Sequence, residues 1–556
     1  MDYRAVFAKK DTQTSQSEAL AGMTENSAGG YAYPVNDWTR LNRFLILGSE
    51  GGTYYVGQRP LTIENAKSIE RCIDEDGVRV VETVIAVSDE GRAPKNDPAL
   101  FVLAMAAGLG DEDTRKAAFA ALPKVARTGT HLFHFAHFIE GFRGWGRGLR
   151  RAVANWYLAM DAERLSLQLV KYKQRDGWSH RDLLRLAHPK TEDADRRALF
   201  GWTVQPDNDN AVQQAAENFR LIDGMIKLQG VTDASAAVKI IRQYSLPREA
   251  VPTKLLNERG VWNALLEDMP LTAMIRNLGK MSTSDIGLLT NGSKAANYVA
   301  DTLRTKDALR KARIHPLTLL TAQKTYAVGR GLKGKLEWAP VSSIIDALDD
   351  AFYKSFSNIE PTGKRIMIAL DVSGSMQQRI AGSAIMASEA SAAMALVTAA
   401  CEKHVHIVGF SAGDDWNPIK HFGKSKPANR YWEPGIKPLP ISAKQRLDDV
   451  QKVIAQQTFG ATDCALPMLY AMDKNLEVDA FVIYTDSETW FGDIHPVEAL
   501  RKYRQKTGIA AKLVVVGMTS NGFTIADPND AGMMDIVGFD TAAPSMISDF
   551  IRGESQ

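Results

Sequence analysis

Four short runs constrain this chain more than anything else in it: RIMIALD (365–371), VHIVGF (405–410), DAFVIYTD (479–486) and KLVVVGM (512–518). Each is rich in β-branched and apolar residues and ends in turn-forming ones, the pattern of a strand buried on both faces. Helix-period stretches such as SAIMASEASAAMALVTAACEK and HPVEALRKYRQ separate them. Buried strands alternating with helices predict a parallel, doubly wound α/β sheet, whose ligands sit beyond the carboxyl ends of the strands. The unit is expected over 361–556, with PTGK (361–364) as the linker before it.

Upstream the periodicity changes. From Trp38 to about Phe356, apolar residues recur at spacings of three and four, as in NDPALFVLAMAAGL and NWYLAMDAERLSLQLVKYKQR. Prolines and glycines interrupt the pattern at short intervals, which suits antiparallel helix pairs stacked as a HEAT-like array. There is no clean repeat period, so an irregular helical bundle fits the same pattern. Residues 9–30 are polar and small, and a flexible N-terminal segment is expected over 1–28. The chain thus reads as 1–28, an all-α unit over 29–360, and the α/β unit over 361–556.

Composition excludes several classes. With 45% hydrophobic and 24% charged residues in 556, disordered and fibrous chains drop out. Cys72, Cys401 and Cys464 lie far apart and form no zinc-binding spacing, so reduced thiols and a cytoplasmic setting are expected. No apolar run reaches membrane-spanning length, and the N-terminus lacks a signal-peptide core.

The first strand of the α/β unit runs into Asp371-Val372-Ser373-Gly374-Ser375, which puts a carboxylate and two hydroxyls on one tight loop. Thr462, in FGATD, and Asp486, at the end of DAFVIYTD, offer further oxygen ligands at strand ends or loops. Hard oxygen donors with one or two carboxylates suit Mg²⁺, which keeps waters and an open coordination position. A DxSxS pentapeptide alone is common by chance. Joined to the two downstream segments, it resembles the metal-ion-dependent adhesion site of von Willebrand factor A domains. That resemblance assigns the metal to Asp371, Ser373, Ser375, Thr462 and Asp486. No nucleophile–base pair accompanies these residues and no phosphate-binding P-loop occurs, so no catalytic activity is expected.

Lysine and arginine exceed acidic residues by 67 to 65 overall, yet residues 131–190 hold 11 basic against 5 acidic side chains, which points to a localised anionic partner. Within KYKQRDGWSHRDLLRLAHPK (171–190), Lys171 and Arg175 are four apart and so are expected on one face of the preceding helix, Asp176-Gly177 breaks the chain and Ser179-x-x-Asp182 opens a helix as a capping box. Pro189 ends that helix near His188. A tight hairpin of two helices could gather Lys171, Arg175 and His188 at one edge, where they would suit phosphate oxygens and a stacked base. A capped helix pair with a solvated basic surface reads equally well. FRGWGRGLRR (142–151) places Arg147, Arg150 and Arg151 among glycines, a backbone able to approach a polyanion. The run Arg310-Lys311-Ala312-Arg313 adds a third basic element.

These segments, with GGYAYPVNDWTRLNRFLILGSEGGTYY, IRNLGKM and IHPLTLL…LKGKLEW…IIDALDDAFYKSF, resemble the TROVE module of the Ro 60 kDa autoantigen family and its bacterial Ro-like members. The likeness runs from about residue 29 to the end. It implies a ring of paired-helix repeats completed by a von Willebrand A domain, and a monomer. It implies Y-like noncoding RNA on an outer basic face, contacted by Lys171, Arg175 and His188, with Arg147, Arg150 and Arg151 similar in type. It also implies single-stranded 3′ ends of misfolded or aberrant RNA in the central hole, and an exoribonuclease partner. The polar N-terminal extension and Asp176 beside Arg175 depart from the animal pattern. A second reading takes the chain as a Mg²⁺-dependent protein-ligand module with a helical spacer, and a third as a metal-dependent nuclease, for which Asp371 and Asp486 are a thin carboxylate set.

Overall fold

The computed structural model describes residues 13–49, 58–331, 334–356, 361–380, 385–411, 435–442, 445–456, 461–519, 521–539 and 542–553. The chain divides into two compact units, residues 1–68 with 356–556 and residues 69–355.

The N-terminal stretch carries two short antiparallel strands, β1 (Thr24–Glu25) and β2 (Tyr31–Pro34), and then the helix Asp37–Leu47. Asn36 caps that helix by accepting from the Thr39 N–H at 2.7 Å.

The second unit is helical, apart from a small ribbon. Polar residues begin its helices by satisfying amides that have no partner within the helix: Asp111 accepts from Thr114, Asp161 from Arg164, Asp233 from Ala236 and Ser293 from Ala296. Each such cap is worth about 1 kcal/mol. The helix Ala162–Lys171 stops at Lys171, so Arg175 does not share its face as expected; the ribbon lies between the two helices and pairs β3 (Gln174–Arg175) with β4 (Trp178–Ser179). Asp176 and Gly177 both have positive φ, 50° and 83°, as a two-residue type I′ hairpin turn requires. Ser179 then caps the helix His180–Ala187 in the predicted reciprocal box, and His188 closes it in the left-handed region at φ 46°.

An aromatic knot holds the helices around this ribbon. Trp156, Tyr157 and Phe133 are fully buried, and His180 is 3% exposed. The Tyr157 hydroxyl lies 2.9 Å from His180 Nδ1, and the Phe133 and His180 rings meet at 4.7 Å. Gly129 makes room, since a Cβ there would lie 2.6 Å from His180 Nε2. The unit's two ends are also joined: Arg313 donates to the Asp89 carbonyl and His315 Nε2 to the Arg92 carbonyl, each at 3.1 Å. Within the basic run 310–313, Arg313 thus makes an exposed contact with a helix far away in sequence. Arg310 of the same run is paired with Asp307.

The α/β unit is built on a six-stranded sheet of β5 (Arg365–Asp371), β6 (His404–Phe410), β7 (Ile436–Pro438), β8 (Ala480–Thr485), β9 (Lys512–Gly517) and β11 (Met533–Val537), in the order β11-β9-β8-β5-β6-β7. All pairs are parallel except β6 with the edge strand β7. Every residue of β8 is buried, so helices cover both of its faces as expected. The strand order reverses between β5 and β8.

The N-terminal segment departs from the expectation of mobility over its described part. β2 pairs with β10 (Phe523–Thr524), and Tyr33 enters the sheet's apolar core beside Phe481 and Leu513. Polar composition misled because the polar side chains bond to protein: Gln16 is fully buried. The described residues 13–49 accordingly fold with the C-terminal unit, not with the helices that follow them in sequence.

Burial takes the His180 imidazole down to about 3 from an ordinary 6.5, and burial with the charge of Arg127 takes His131 down to about 4. Below pH 6.5 the unfolded chain binds protons that these rings refuse, so the helical unit keeps its full stability above that pH and loses it as pH falls. The slope approaches about 1.4 kcal/mol per pH unit per ring. Thermal melts at stepped pH should show it, and His180→Phe should flatten the slope by one ring's share; an unaltered slope would contradict the assignment.

Candidate functional site

Asp371 ends β5 and Asp486 follows β8, so the two carboxylates flank the point where strand order reverses. Asp371 Oδ1 accepts from the Ser373 N–H at 2.9 Å, which folds the loop back over the strand end. The Ser373 and Ser375 hydroxyls then lie 3.0 Å apart. The Thr485 hydroxyl donates to the other Asp371 oxygen at 2.7 Å. Asp371, Ser373, Ser375, Thr462 and Asp486 are each no more than 2% exposed.

The structure brings Asp371, Ser373, Ser375 and Asp486 together. Burial raises the Asp371 carboxyl well above the ordinary carboxylate range, and the charge of Asp486 raises it further, against the hydrogen bonds of Ser373 and Thr485. Asp486 is raised by burial and eased by Ser375. Thr462 is tied to the loop after Asp486 by its backbone: its carbonyl accepts from the Trp490 and Phe491 N–H groups at 3.3 and 3.1 Å. Phe459 and Gly460, also part of the FGATD signal, lie outside the described residues.

These residues fit a divalent cation. Asp486 Oδ2 is buried with no hydrogen-bond partner among the described residues, and two mutually repelling carboxyls out of water lack a counter-charge. The donors are all oxygen, as Mg²⁺ prefers.

Sequence reasoning missed the cradle's support. Ser487 takes φ 61°, and the Glu488 N–H returns to Asp486 Oδ1 at 3.1 Å. Glu488 is 1% exposed and pushed up to about 7, by burial first and then by Asp486. The Asn521 amide donates to the Asp486 carbonyl at 2.6 Å and to Glu488 at 3.1 Å. From the other end of the chain, Arg43 donates to the Asn521 carbonyl at 3.0 Å and pairs with Asp535 at 2.6 Å. Gln16 donates to Asp463 at 2.7 Å and to the Ile494 carbonyl at 2.9 Å, and accepts from the Thr489 hydroxyl. Asn26 donates to the Thr489 carbonyl at 2.6 Å.

On the helical unit, the side chains of Arg147, Arg150, Arg151, Arg175 and His188 are exposed and Lys171 is half-buried, its ammonium 5.5 Å from the Tyr172 ring centre. Arg147, Arg150 and Arg151 lie in the first turns of the helix Arg147–Leu158, which has no side-chain cap and no acid in its first turn. Cations there oppose the helix dipole, an arrangement that intramolecular stability does not explain. Arg143 of the same motif is structural, donating to the Ala107 carbonyl at 2.8 Å. Asp176 lies 3.8 Å from Arg175 and also bonds to His134, so the acid noted in sequence is shared between them. The glycine-rich motif and the ribbon, separate in sequence, meet through Trp145 and Trp178, whose ring centres are 5.2 Å apart.

Together these features define a TROVE domain joined to a Ro60-type von Willebrand A domain: the TROVE family description matches residues 24–325 and the Ro60 vWA description matches 365–551. The chain belongs to the Ro60 family. It is 41% identical over 534 residues to the RNA-binding protein RO60 of Deinococcus radiodurans, covering 95% of each chain. It is 36% identical over 608 residues to the RNA-binding protein RO60 of Caenorhabditis elegans, covering 96% of this chain and 90% of that one. Its structure is similar to the crystal structure of the Deinococcus radiodurans RO (RSR) protein, with TM-score 0.68 and 40% identity, over 94% of this chain and all of the other.

A divalent cation binding the folded cradle should raise its melting temperature, by an amount corresponding to about 2.7 kcal/mol at a hundredfold excess over Kd. Asp371→Asn should remove the buried repulsion, so the variant in EDTA melts above wild type in EDTA, and MgCl2 then shifts wild type alone. Equal Mg²⁺ shifts for both proteins in differential scanning fluorimetry would refute the assignment.

Proposed function

We propose that this protein is an RNA-binding scaffold of noncoding RNA quality control and not an enzyme. What carries the reading is the exposed set Arg147, Arg150, Arg151, Arg175 and His188, with the half-buried Lys171, on two motifs that touch, in a chain 41% identical to a protein named for RNA binding. Arginine and lysine contacts to phosphate bring affinity with little base identity, as a protein that accepts many aberrant RNAs requires. In this reading a Y-like RNA occupies the basic face, single-stranded 3′ ends of misfolded RNA enter the closed helical array, and an exoribonuclease acts on what the scaffold presents, in the cytoplasm. No helix among the described residues is long and apolar enough to cross a membrane.

The cation, Mg²⁺ by its donor set, belongs in this reading to the architecture of the α/β unit. Asp371, Ser373, Ser375, Thr462 and Asp486 would hold it, and it would supply the positive charge that two buried carboxylates need.

The joint variant Lys171→Ala/Arg175→Ala should bind a structured RNA more weakly, with a salt slope shallower by about 0.7–0.9 for each phosphate that is no longer neutralised. Fluorescence anisotropy across a potassium chloride series measures both quantities. Unchanged affinity and slope would remove these residues from the interface.

A further inference from the structure

The contact between Trp145 and Trp178 points to a feature beyond phosphate binding. Trp145 stands between Gly144 and Gly146 in the loop before the helix Arg147–Leu158, and Trp178 is the first residue of β4. Their planes are inclined at 51°, so neither ring covers the full face of the other. Both side chains are half-buried, in contrast with Trp156 and Trp262, which are fully buried in the unit's core. The surroundings are open: a Cβ on Gly144 or Gly177 would meet nothing within 4 Å.

A cation neighbours each tryptophan, one in ribbon register and one in sequence, and the Trp145 indole N–H donates to Glu140 at 3.3 Å. Trp178 lies directly opposite Arg175 in the ribbon, and opposed residues share a face, so indole and guanidinium project together. The Arg175 side chain is 62% exposed. Arg147 follows Trp145 by two positions and is exposed. The ribbon does not depend on this contact for its place. The knot of Phe133, Trp156, Tyr157 and His180, the Ser179 capping box and the Asp176–His134 contact already fix it.

We infer that Trp145 and Trp178 form a stacking platform for an unpaired RNA base whose flanking phosphates lie on Arg147 and Arg175. The inference rests on the RNA-binding reading and adds to it two residues that would hold an unpaired base at the basic face. Stacking tolerates any base but requires one that is not already paired, so the surface distinguishes a helix with a frayed or extended end from a blunt one.

Two fluorescein-labelled RNA hairpins with the same stem, one blunt and one ending in two unpaired adenosines, test it by anisotropy. Wild type should bind the extended hairpin more tightly. Trp178→Ala and Trp145→Ala should weaken that hairpin by roughly 5- to 150-fold, leave the blunt one nearly unaffected and keep the salt slope, whereas Trp178→Phe retains most of the preference. Melting temperatures of the variants separate stacking from folding; Trp145→Ala, in a loop, guards against loss of fold at the ribbon. Equal binding of the two hairpins by wild type, or an undiminished preference in both alanine variants, overturns the platform. Failure of the phosphate reading is recognised separately, by unchanged affinity of Lys171→Ala/Arg175→Ala for the blunt hairpin.

Discussion

Two carboxyls facing each other out of water are the constraint around which the α/β unit is arranged. Asp371 and Asp486 stand at the carboxyl ends of neighbouring parallel strands, so each raises the cost of ionising the other. Three hydrogen-bond donors answer that cost, the Ser373 amide, the Thr485 hydroxyl and the Glu488 amide, while the buried Glu488 carboxyl adds to it. Donors reduce the repulsion without supplying a full positive charge. A hard cation would supply it, and the all-oxygen lining selects for one.

The loops that shape the cradle are secured by residues from the far end of the chain. Arg43 holds Asn521, which in turn holds Asp486 and Glu488. Gln16 fills the space between Asp463 and Thr489. These are buried, directed contacts, and removing one partner would leave the other polar group unsatisfied at a cost of about 1–3 kcal/mol. The N-terminal segment is therefore part of the cradle's wall, although neither its composition nor its position suggests this.

That contrast explains which parts of the structure were legible in the sequence. Local signals carried through: the capping box of Ser179 and Asp182 formed as spaced, and the four apolar runs became the central parallel strands. DxSxS was readable because its residues sit on one loop. Contacts spanning hundreds of residues were not, since nothing near Arg43 or Gln16 marks a partner some 478 or 447 positions away. A polar stretch looks the same whether its side chains meet water or protein. The basic face was half legible: its arginines stood out, while the meeting of Trp145 and Trp178 depends on how the intervening helices pack. Arg313 read as part of a basic cluster; it is exposed and also donates to the Asp89 carbonyl, a partner far away in sequence.

Because residues 13–49 fold with the C-terminal unit, the helical array is topologically an insertion in the α/β unit. A ribosome releases β2 long before Phe523 and Thr524, its partners, exist. The nascent helices can pack and join Asp89 to Arg313 while the sheet is still unmade. Synthesis order thus places the pairing of β2, and with it the cradle's N-terminal wall, after the whole array has left the ribosome.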